Sequence, residues 1–188
     1  EKIMKLWMIK LGATPPGRFI EQHDVFFGFA EQLSDLVADL DFFWPEAQNQ
    51  WHIDAWREVN RVGDWQINTV ATSTAHTQQD ISLFFINLGG YRAGEFEEYH
   101  YKLLSVAANK KEAIAAAKHT DFYRDFNFHG AASHIDEQYG VDIDEIHRIP
   151  DILNGALSQQ YRLNITAADA TLPEDTYHIG YVSRTKLL

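Results

Sequence analysis

The 188-residue chain contains no cysteine. Disulfides, thiolate metal sites and cysteine nucleophiles are therefore excluded, and a reducing compartment is favoured. No apolar stretch approaches the ~20 residues that a membrane-spanning helix needs. The first apolar segment is also too short for the core of a signal peptide. We therefore expect a soluble, cytoplasmic protein that has no membrane partner.

Basic residues are scarce, with 16 Lys and Arg against 27 Asp and Glu, so that the net charge is −11. The longest basic run is Lys110-Lys111. Proteins that bind nucleic acid usually present a basic face, because neutralising phosphates supplies most of the non-specific affinity. We therefore expect no nucleic-acid partner, whereas a cationic partner or a metal ion is compatible with the charge.

The chain does carry an internal repeat. When the sequence is shifted by 77 positions, nine of the 25 residues between positions 6 and 30 are identical. Unrelated sequences would give about one or two identities, so the excess indicates a duplicated domain. The identical pairs include Leu11 and Leu88, Gly12 and Gly89, Gly17 and Gly94, Phe19 and Phe96, Glu21 and Glu98, and His23 and His100.

The register of the repeat then changes by five residues at an insertion near 126–132. Beyond the insertion, His52-Ile53-Asp54 matches His134-Ile135-Asp136. We therefore divide the chain into repeat 1 at 4–80 and repeat 2 at 81–188.

Hydrophobic patterning predicts the same elements in each repeat, a β-loop-β-α-β-β unit of the α+β class. No linker rich in Gly, Ser or Pro separates the units, so we expect them to pack together as one compact pseudo-symmetric protein. A C-terminal strand is expected to close repeat 2. The predicted elements are strands at 5–11, 24–30, 51–59 and 65–72, a helix at 33–43 stopped by Pro45, a helix from the cap Asn109 to about Phe122, and the closing strand at 177–182.

Two polar pairs are candidates for chemistry. Glu21 and His23, and likewise His52 and Asp54, are spaced i, i+2, which places both side chains of a pair on one face of a strand. By the same alternation Trp56 should share the face of His52 and Asp54. If the two strands are neighbours, the four polar side chains converge. The candidate site residues are Glu21, His23, Asp24, His52 and Asp54 in repeat 1, and Glu98, His100, His134 and Asp136 in repeat 2.

More than one role is compatible with this set of residues. Imidazole and carboxylate groups bind zinc, manganese or iron, and they also form general acid–base pairs near neutral pH. A divalent metal is therefore the candidate cofactor and a small molecule the candidate ligand. The alternative is a non-catalytic binding or oligomerising module in which the same side chains only satisfy hydrogen bonds, because duplication preserves structural bonds as well as active sites.

These residues resemble a known family. Leu-Gly-Ala or Leu-Gly-Gly, then Glu-x-His, then a His-Ile-Asp strand is similar to the bacterial domain-of-unknown-function family 1543, over residues 11–54 and again over 88–136. The resemblance implies one or two copies of the domain and a bacterial cytosolic setting, and it implies no activity. One departure is visible, since Asp24 follows His23 whereas Tyr101 follows His100. We therefore expect the second copy to be the altered one.

Overall fold

The computed structural model describes residues 3–120 and 141–188, with the backbone alone for residues 141–144. Most of this part of the chain forms antiparallel strands, and the helices are short. In chain order the elements are β1 (Lys5–Ala13), β2 (Gln22–Ala30), α1 (Val37–Phe43), β3 (His52–Glu58), β4 (Arg61–Val62), β5 (Trp65–Ala71), β6 (Ser82–Gly90), β7 (Tyr99–Ala107), α2 (Lys110–Ala117), β8 (Val141–Arg148), α3 (Ile149–Ile152), β9 (Tyr161–Ala167) and β10 (His178–Ser183), with 3₁₀ turns at Leu33–Leu36, Pro45–Ala47 and Arg184–Lys186.

The predicted α+β class is confirmed, and the packing divides the chain into two units. The first unit combines Glu1–Gln78 with Ile152–Leu188, and the second is Gln79–Asp151. This division differs from the sequence repeats at 4–80 and 81–188, because the last part of the chain packs with the first unit. The strand that we expected to close repeat 2 is β10, and it pairs with β3 instead.

The main sheet of the first unit has the strand order β10-β3-β1-β2, with antiparallel pairing throughout. Trp7, Ile9 and Leu11 alternate along β1 and are buried on one face. Leu36 and Leu40 cover this face. The predicted helix at 33–43 is present in two parts, a 3₁₀ turn followed by α1. The core therefore lies on one face of the sheet, and the other face of β1 carries Met8, Lys10 and Gly12.

A second sheet of the first unit has the order β4-β5-β9. β5 is the strand predicted at 65–72. β5 and β9 pair along their whole length, with Asn68 opposite Asn164 at the centre. Long-range pairing of this kind ties residues nearly a hundred positions apart into one sheet, and hydrophobic periodicity alone does not specify such partners.

The second unit contains the sheet β7-β6-β8. Its core joins Phe84, Ile86 and Leu88 of β6 to Ala113 and Ala117 of α2. The predicted cap is present, because Asn109 Oδ1 accepts a hydrogen bond of 3.0 Å from the Glu112 amide.

α2 ends at Ala117, earlier than the prediction of about Phe122, which lies outside the described residues. Both the amide and the hydroxyl of Thr120 donate to the Ala117 carbonyl, and this turn replaces the helical pattern. Among the described helices, none is long and apolar enough to cross a membrane.

The end of the chain is attached to the first unit by a buried ion pair. Arg57 Nη2 lies 2.7 Å from Asp175 Oδ2, and the two side chains are 8% and 2% exposed. Asp175 also accepts hydrogen bonds from the backbone amides of Asn60 and Arg61. Arg57 Nη1 donates to the Tyr177 hydroxyl at 2.8 Å. Every polar atom of the pair therefore has partners, which a buried charge requires.

Removing one partner of this pair should destabilise the protein strongly. We expect Asp175→Ala to lower the free energy of unfolding by about 3–5 kcal/mol, because it leaves the Arg57 guanidinium buried without a counter-charge. Urea unfolding followed by circular dichroism measures the change. The neighbouring Glu174, whose side chain is 77% exposed, supplies the control, since Glu174→Ala should cost less than about 0.5 kcal/mol. Equal losses in the two variants would contradict the assignment.

A second ion pair fixes the C-terminal residues against α1. Arg184 donates from Nε and Nη2 to the two oxygens of Asp41, both at 2.8 Å. The Trp51 indole also donates to Asp41 Oδ1 at 2.9 Å. The hydrogen bond from Arg184 is the main reason that the pKa of Asp41 is lowered below its usual value of 3.8. The ionised carboxylate is therefore the form that the fold stabilises.

This lowered pKa predicts a pH dependence of stability. A carboxyl group whose pKa is lower in the folded state contributes stability above its unfolded pKa, and the contribution disappears as the pH falls through the folded pKa. The wild-type protein should therefore be more stable than Asp41→Asn at neutral pH, and the difference should shrink below about pH 4. Urea titrations of both proteins at several pH values test this. A difference that is independent of pH would contradict it.

Candidate functional site

The candidate site is built around Gly12, at the end of the central strand β1. Gly12 pairs with His23 of β2 on one side and with His52 of β3 on the other. Directly opposed residues of neighbouring strands share a face of the sheet. The two imidazoles therefore stand on either side of a residue that has no side chain. This face is the one opposite to the fully buried Leu11.

A β-bulge in β3 brings Asp54 to the same place. The register places Ala55 opposite Lys10 and Ile53 opposite Leu11, so that Asp54 is the extra residue. A bulge sets two successive residues against one partner and reverses the alternation beyond it. The expectation that Trp56 shares the face of His52 and Asp54 is therefore wrong. Trp56 pairs with Ile9, packs against the core and stacks on His178.

Four side chains meet at this site, and we call them the polar cluster: Glu21, His23, His52 and Asp54. His52 Nε2 lies 2.5 Å from Glu21 Oε1 and 3.2 Å from Asp54 Oδ1. His23 Nε2 lies 3.1 Å from Asp54 Oδ2 and 3.5 Å from Glu21 Oε1. Each imidazole thus contacts both carboxylates. The prediction that Glu21, His23, His52 and Asp54 converge describes this geometry.

The polar cluster occupies the space above the Gly12 Cα atom. A Cβ atom at this position would lie 2.1 Å from Glu21 Oε1, 2.5 Å from His52 Nε2 and 2.7 Å from Asp54 Oδ2. Real Cβ atoms essentially never show contacts below 3.0 Å. The three donor atoms can converge here only because residue 12 is glycine.

The polar cluster has fewer N–H donors than carboxylate oxygens that can accept a hydrogen bond. Two carboxylates provide four oxygens, whereas a neutral imidazole has one N–H. Asp54 Oδ2 is buried and has no hydrogen-bond partner, although His23 Nε2 lies 3.1 Å away. Asp54 Oδ2 and His23 Nε2 are therefore in contact, but they are not aligned for a hydrogen bond. A buried carboxylate oxygen normally has a hydrogen-bond donor, a water molecule or a cation as its partner.

The cluster is open to solvent on its outer side. The side chains of Glu21 and His23 are about 40% exposed, whereas those of His52 and Asp54 are more buried. A cavity of about 510 Å³ in the first unit is lined by residues such as Glu58, Asn60 and His178 and by none of the cluster. We place the site at the cluster, because the convergent polar groups are there.

Not every predicted residue joins the cluster. Asp24 pairs with Leu11 and so stands on the opposite face, where its Oδ1 accepts from the Val25 amide. In the second unit His100 pairs with Gly89 and its Nε2 lies 3.6 Å from Glu98 Oε1.

His134 and Asp136 lie outside the described residues. The register of β8 nevertheless bears on their assignment, because it places Asp142 opposite Gly89, where the first unit has His52 opposite Gly12. The bulge recurs here, with Asp144 as the extra residue between Ile143 and Glu145. At the position of His52 the second unit therefore has an aspartate. The sequence comparison matched His52-Ile53-Asp54 to His134-Ile135-Asp136 because the three residues are identical. It therefore did not indicate Asp142 as the residue opposite Gly89.

One neighbour of the cluster was missed entirely. The ring of Tyr181 in β10 lies 4.5 Å from the His52 ring, at an angle of 33°, and Tyr181 is 63% exposed. The antiparallel pairing of β10 with β3 places it there, with Ser183 opposite His52. The sequence of β10 resembles a first strand, and nothing in that pattern indicates β3 as its partner.

Comparison with known proteins gives a match to one family model and no function. Residues 18–69 match the model of the family described as Domain of Unknown Function (DUF1543). The matched segment includes all four residues of the polar cluster. No curated protein matches the chain.

A solved structure shares the fold. The crystal structure of the protein Il1583 from Idiomarina loihiensis is similar with a TM-score of 0.60 and 18% identity, over 95% of each chain. At this level of identity the likeness establishes the fold alone.

Filling the space above Gly12 should destroy the site. We expect Gly12→Ala to displace Glu21, His52 and Asp54, because the new methyl group would overlap with all three donor atoms. Proton NMR of the histidine ring signals should show altered chemical shifts for His23 and His52. The signal of His147, which lies in the second unit, is the internal control. Unchanged His23 and His52 signals would contradict the geometry.

Proposed function

We propose that the polar cluster of the first unit binds a divalent transition-metal ion. The observation that carries the proposal is the convergence of Glu21 Oε1, His52 Nε2 and Asp54 Oδ2 within 2.7 Å of one point above Gly12. One donor atom from each of these residues lies within 4.8 Å of the others. Metal–ligand bonds to nitrogen and oxygen are ~2.0–2.2 Å long, so the ligand atoms of one ion lie roughly 3–4.4 Å apart. The 2.5 Å separation of His52 Nε2 from Glu21 Oε1 would therefore widen when an ion binds.

The donor set agrees with the proposal chemically. The imidazole of His52 and the carboxylates of Glu21 and Asp54 are ligands that suit zinc, manganese or iron. A cation would compensate the two carboxylates and would supply the partner that Asp54 Oδ2 lacks. The exposed outer side of the cluster leaves room for water or a small molecule. A metal-bound water loses a proton more easily than free water and so becomes a nucleophile near neutral pH. This is the basis of our hypothesis that the site serves hydrolysis of a small molecule.

The competing hypothesis is a structural role for the same side chains. The 2.5 Å contact of His52 Nε2 with Glu21 Oε1 favours it, because this pair alone would connect β3 to the residue before β2. In that case the module would bind or oligomerise without catalysis. Metal binding distinguishes the two hypotheses directly.

We also propose that the two units arose by tandem duplication of a DUF1543-type domain. The support is the register of the sheets. Lys5 pairs with Ala30 and Ser82 with Ala107, which is the same pairing shifted by 77 positions. The bulge falls between Lys10 and Leu11 in one sheet and between Asn87 and Leu88 in the other. Asp142 in place of His52 supports our expectation that the second copy is altered.

The cellular setting belongs to the same proposal. A bacterial cytoplasmic location rests on the absence of cysteine and on the family resemblance. The net charge of −11 supports our expectation that the protein has no nucleic-acid partner.

The test is metal binding by the full-length protein after removal of any affinity-tag metal. Isothermal titration with Zn²⁺ and Mn²⁺ should show one strong site per chain. His52→Ala should weaken binding by about 10- to 100-fold or more, because it removes a ligand near the centre of the cluster. Asp24→Asn is the matched control, since Asp24 lies on the opposite face and its variant should bind like the wild type.

Two results would contradict this proposal. One is a wild-type protein that binds neither Zn²⁺ nor Mn²⁺. The other is binding that His52→Ala leaves unchanged. A metal-free protein in which His52→Ala merely unfolds at lower urea would favour the structural role.

A further inference from the structure

Lys10 shares the face of the polar cluster. It lies two residues before Gly12 on β1, and side chains two apart on a strand point the same way. The two positions are therefore about 7 Å apart along the strand. Lys10 pairs with Val25 of β2 and with Ala55 of β3. Both cross-strand neighbours are uncharged, so the strands beside Lys10 offer it no counter-ion at these positions.

Other basic residues of the first unit have such partners. Lys5 Nζ lies 3.0 Å from Glu58 Oε1, and Arg57 and Arg184 bind aspartates. For Lys10, no carboxylate of residues 3–120 or 145–188 lies within ion-pair distance of Nζ. Asp54, the bulge residue next to Ala55, directs its carboxylate towards Gly12 and the histidines instead. The half-buried Lys10 therefore has no carboxylate partner in the part of the chain whose side chains the structure describes.

The second unit has no cation at the corresponding position. Asn87 lies two residues before Gly89, as Lys10 lies before Gly12. Its Nδ2 donates to Glu145 Oε2 at 2.8 Å, and Glu145 takes the place that Ala55 has opposite Lys10. The unit with the complete cluster therefore has a free lysine, and the unit with Asp142 in place of His52 has a neutral amide that is already paired.

We propose that Lys10 binds an anionic oxygen of a small-molecule oxyanion, a phosphoryl or carboxylate group, whose other oxygen binds the metal ion. This inference rests on the proposed metal site. With a divalent ion the two carboxylates of the cluster are neutralised, and Lys10 makes the local charge positive. An anion would therefore be attracted to this face although the whole chain carries −11. A lysine ammonium is a compact point charge that commonly binds phosphate oxygens.

The remainder of the ligand would meet apolar side chains. Ile179 of β10 pairs with Ala55 and so lies in the same cross-strand row as Lys10. Ile179 is 83% exposed and Tyr181, which contacts His52, is 63% exposed. An exposed isoleucine and tyrosine beside a polar centre suit the organic part of a small ester or acid.

The test uses full-length protein loaded with Co²⁺, whose visible absorption reports on ligands that bind the ion. Inorganic phosphate and acetate are titrated separately, and each dissociation constant is taken from the spectral change. We expect at least one anion to bind. Lys10→Met should weaken that binding by about tenfold or more, because it removes a charge-assisted hydrogen bond. Lys10→Arg should retain most of it.

The controls separate this inference from the metal site itself. Co²⁺ affinity of Lys10→Met should match that of the wild type or exceed it, since a nearby positive charge is lost. Lys5→Met, on the same strand but already paired with Glu58, should bind the anions like the wild type. A response to phosphate alone would identify phosphate compounds, and a response to acetate alone would identify carboxylates.

Three outcomes would overturn the inference. If Co²⁺ binds but neither anion changes its spectrum, the site has no oxyanion ligand. If Lys10→Met binds the anion as tightly as the wild type, Lys10 does not contact it. If the wild type binds no Co²⁺, the proposed metal site fails and the role of Lys10 fails with it.

Discussion

Gly12 has no side chain, and the polar cluster uses the space that this leaves. β1 lies between β2 and β3, so that Gly12 has His23 on one side and His52 on the other. Any larger residue would place an atom within 2.1–2.7 Å of three donor atoms. On the reverse side of the strand, Leu11 and Ile9 need the regular alternation of β1 to stay in the core. β1 therefore contributes core residues on one face and, at Gly12 on the other face, the position above which the polar cluster lies.

The bulge at Asp54 makes these two demands compatible. His52 and Asp54 must both reach the Gly12 face, whereas Ile53 and Trp56 must face the core. Regular alternation would place Trp56 on the face of His52. The extra residue Asp54 reverses the alternation, so that Trp56 faces the core. The bulge recurs at Asp144, although Gly89 lies opposite Asp142 whereas Gly12 lies opposite His52. The backbone arrangement is thus more constant between the units than the side chains that it presents.

The outer edge of β3 depends on interactions that are distant in sequence. β10 pairs with this edge, and the segment before β10 is held by Asp175, buried against Arg57 and the amides of Asn60 and Arg61. On the other side, Arg184 binds Asp41 of α1. These two ion pairs flank β10, so they also determine where Tyr181 meets His52. The surroundings of the site in the first unit therefore come from the last part of the chain.

The local patterns were sufficient to locate several of the elements and to name the four residues of the polar cluster as candidates. Apolar patterns located β1 and β5, and Asn109 located the start of α2. The i, i+2 spacing located Glu21 with His23 and His52 with Asp54. Such features depend on residues a few positions apart, whose geometry the backbone period fixes. Tertiary structure alone decided that β2 and β3 flank β1, that a bulge turns Trp56 away, that Asp24 faces the other side and that β9 and β10 pack with the first unit. Strand partners and bulges arise from contacts between distant segments, and a one-residue change in register moves every side chain to the other face. The repeated Glu-x-His motif therefore indicated which residues to consider, and the pairing at Gly12 determined which of them meet.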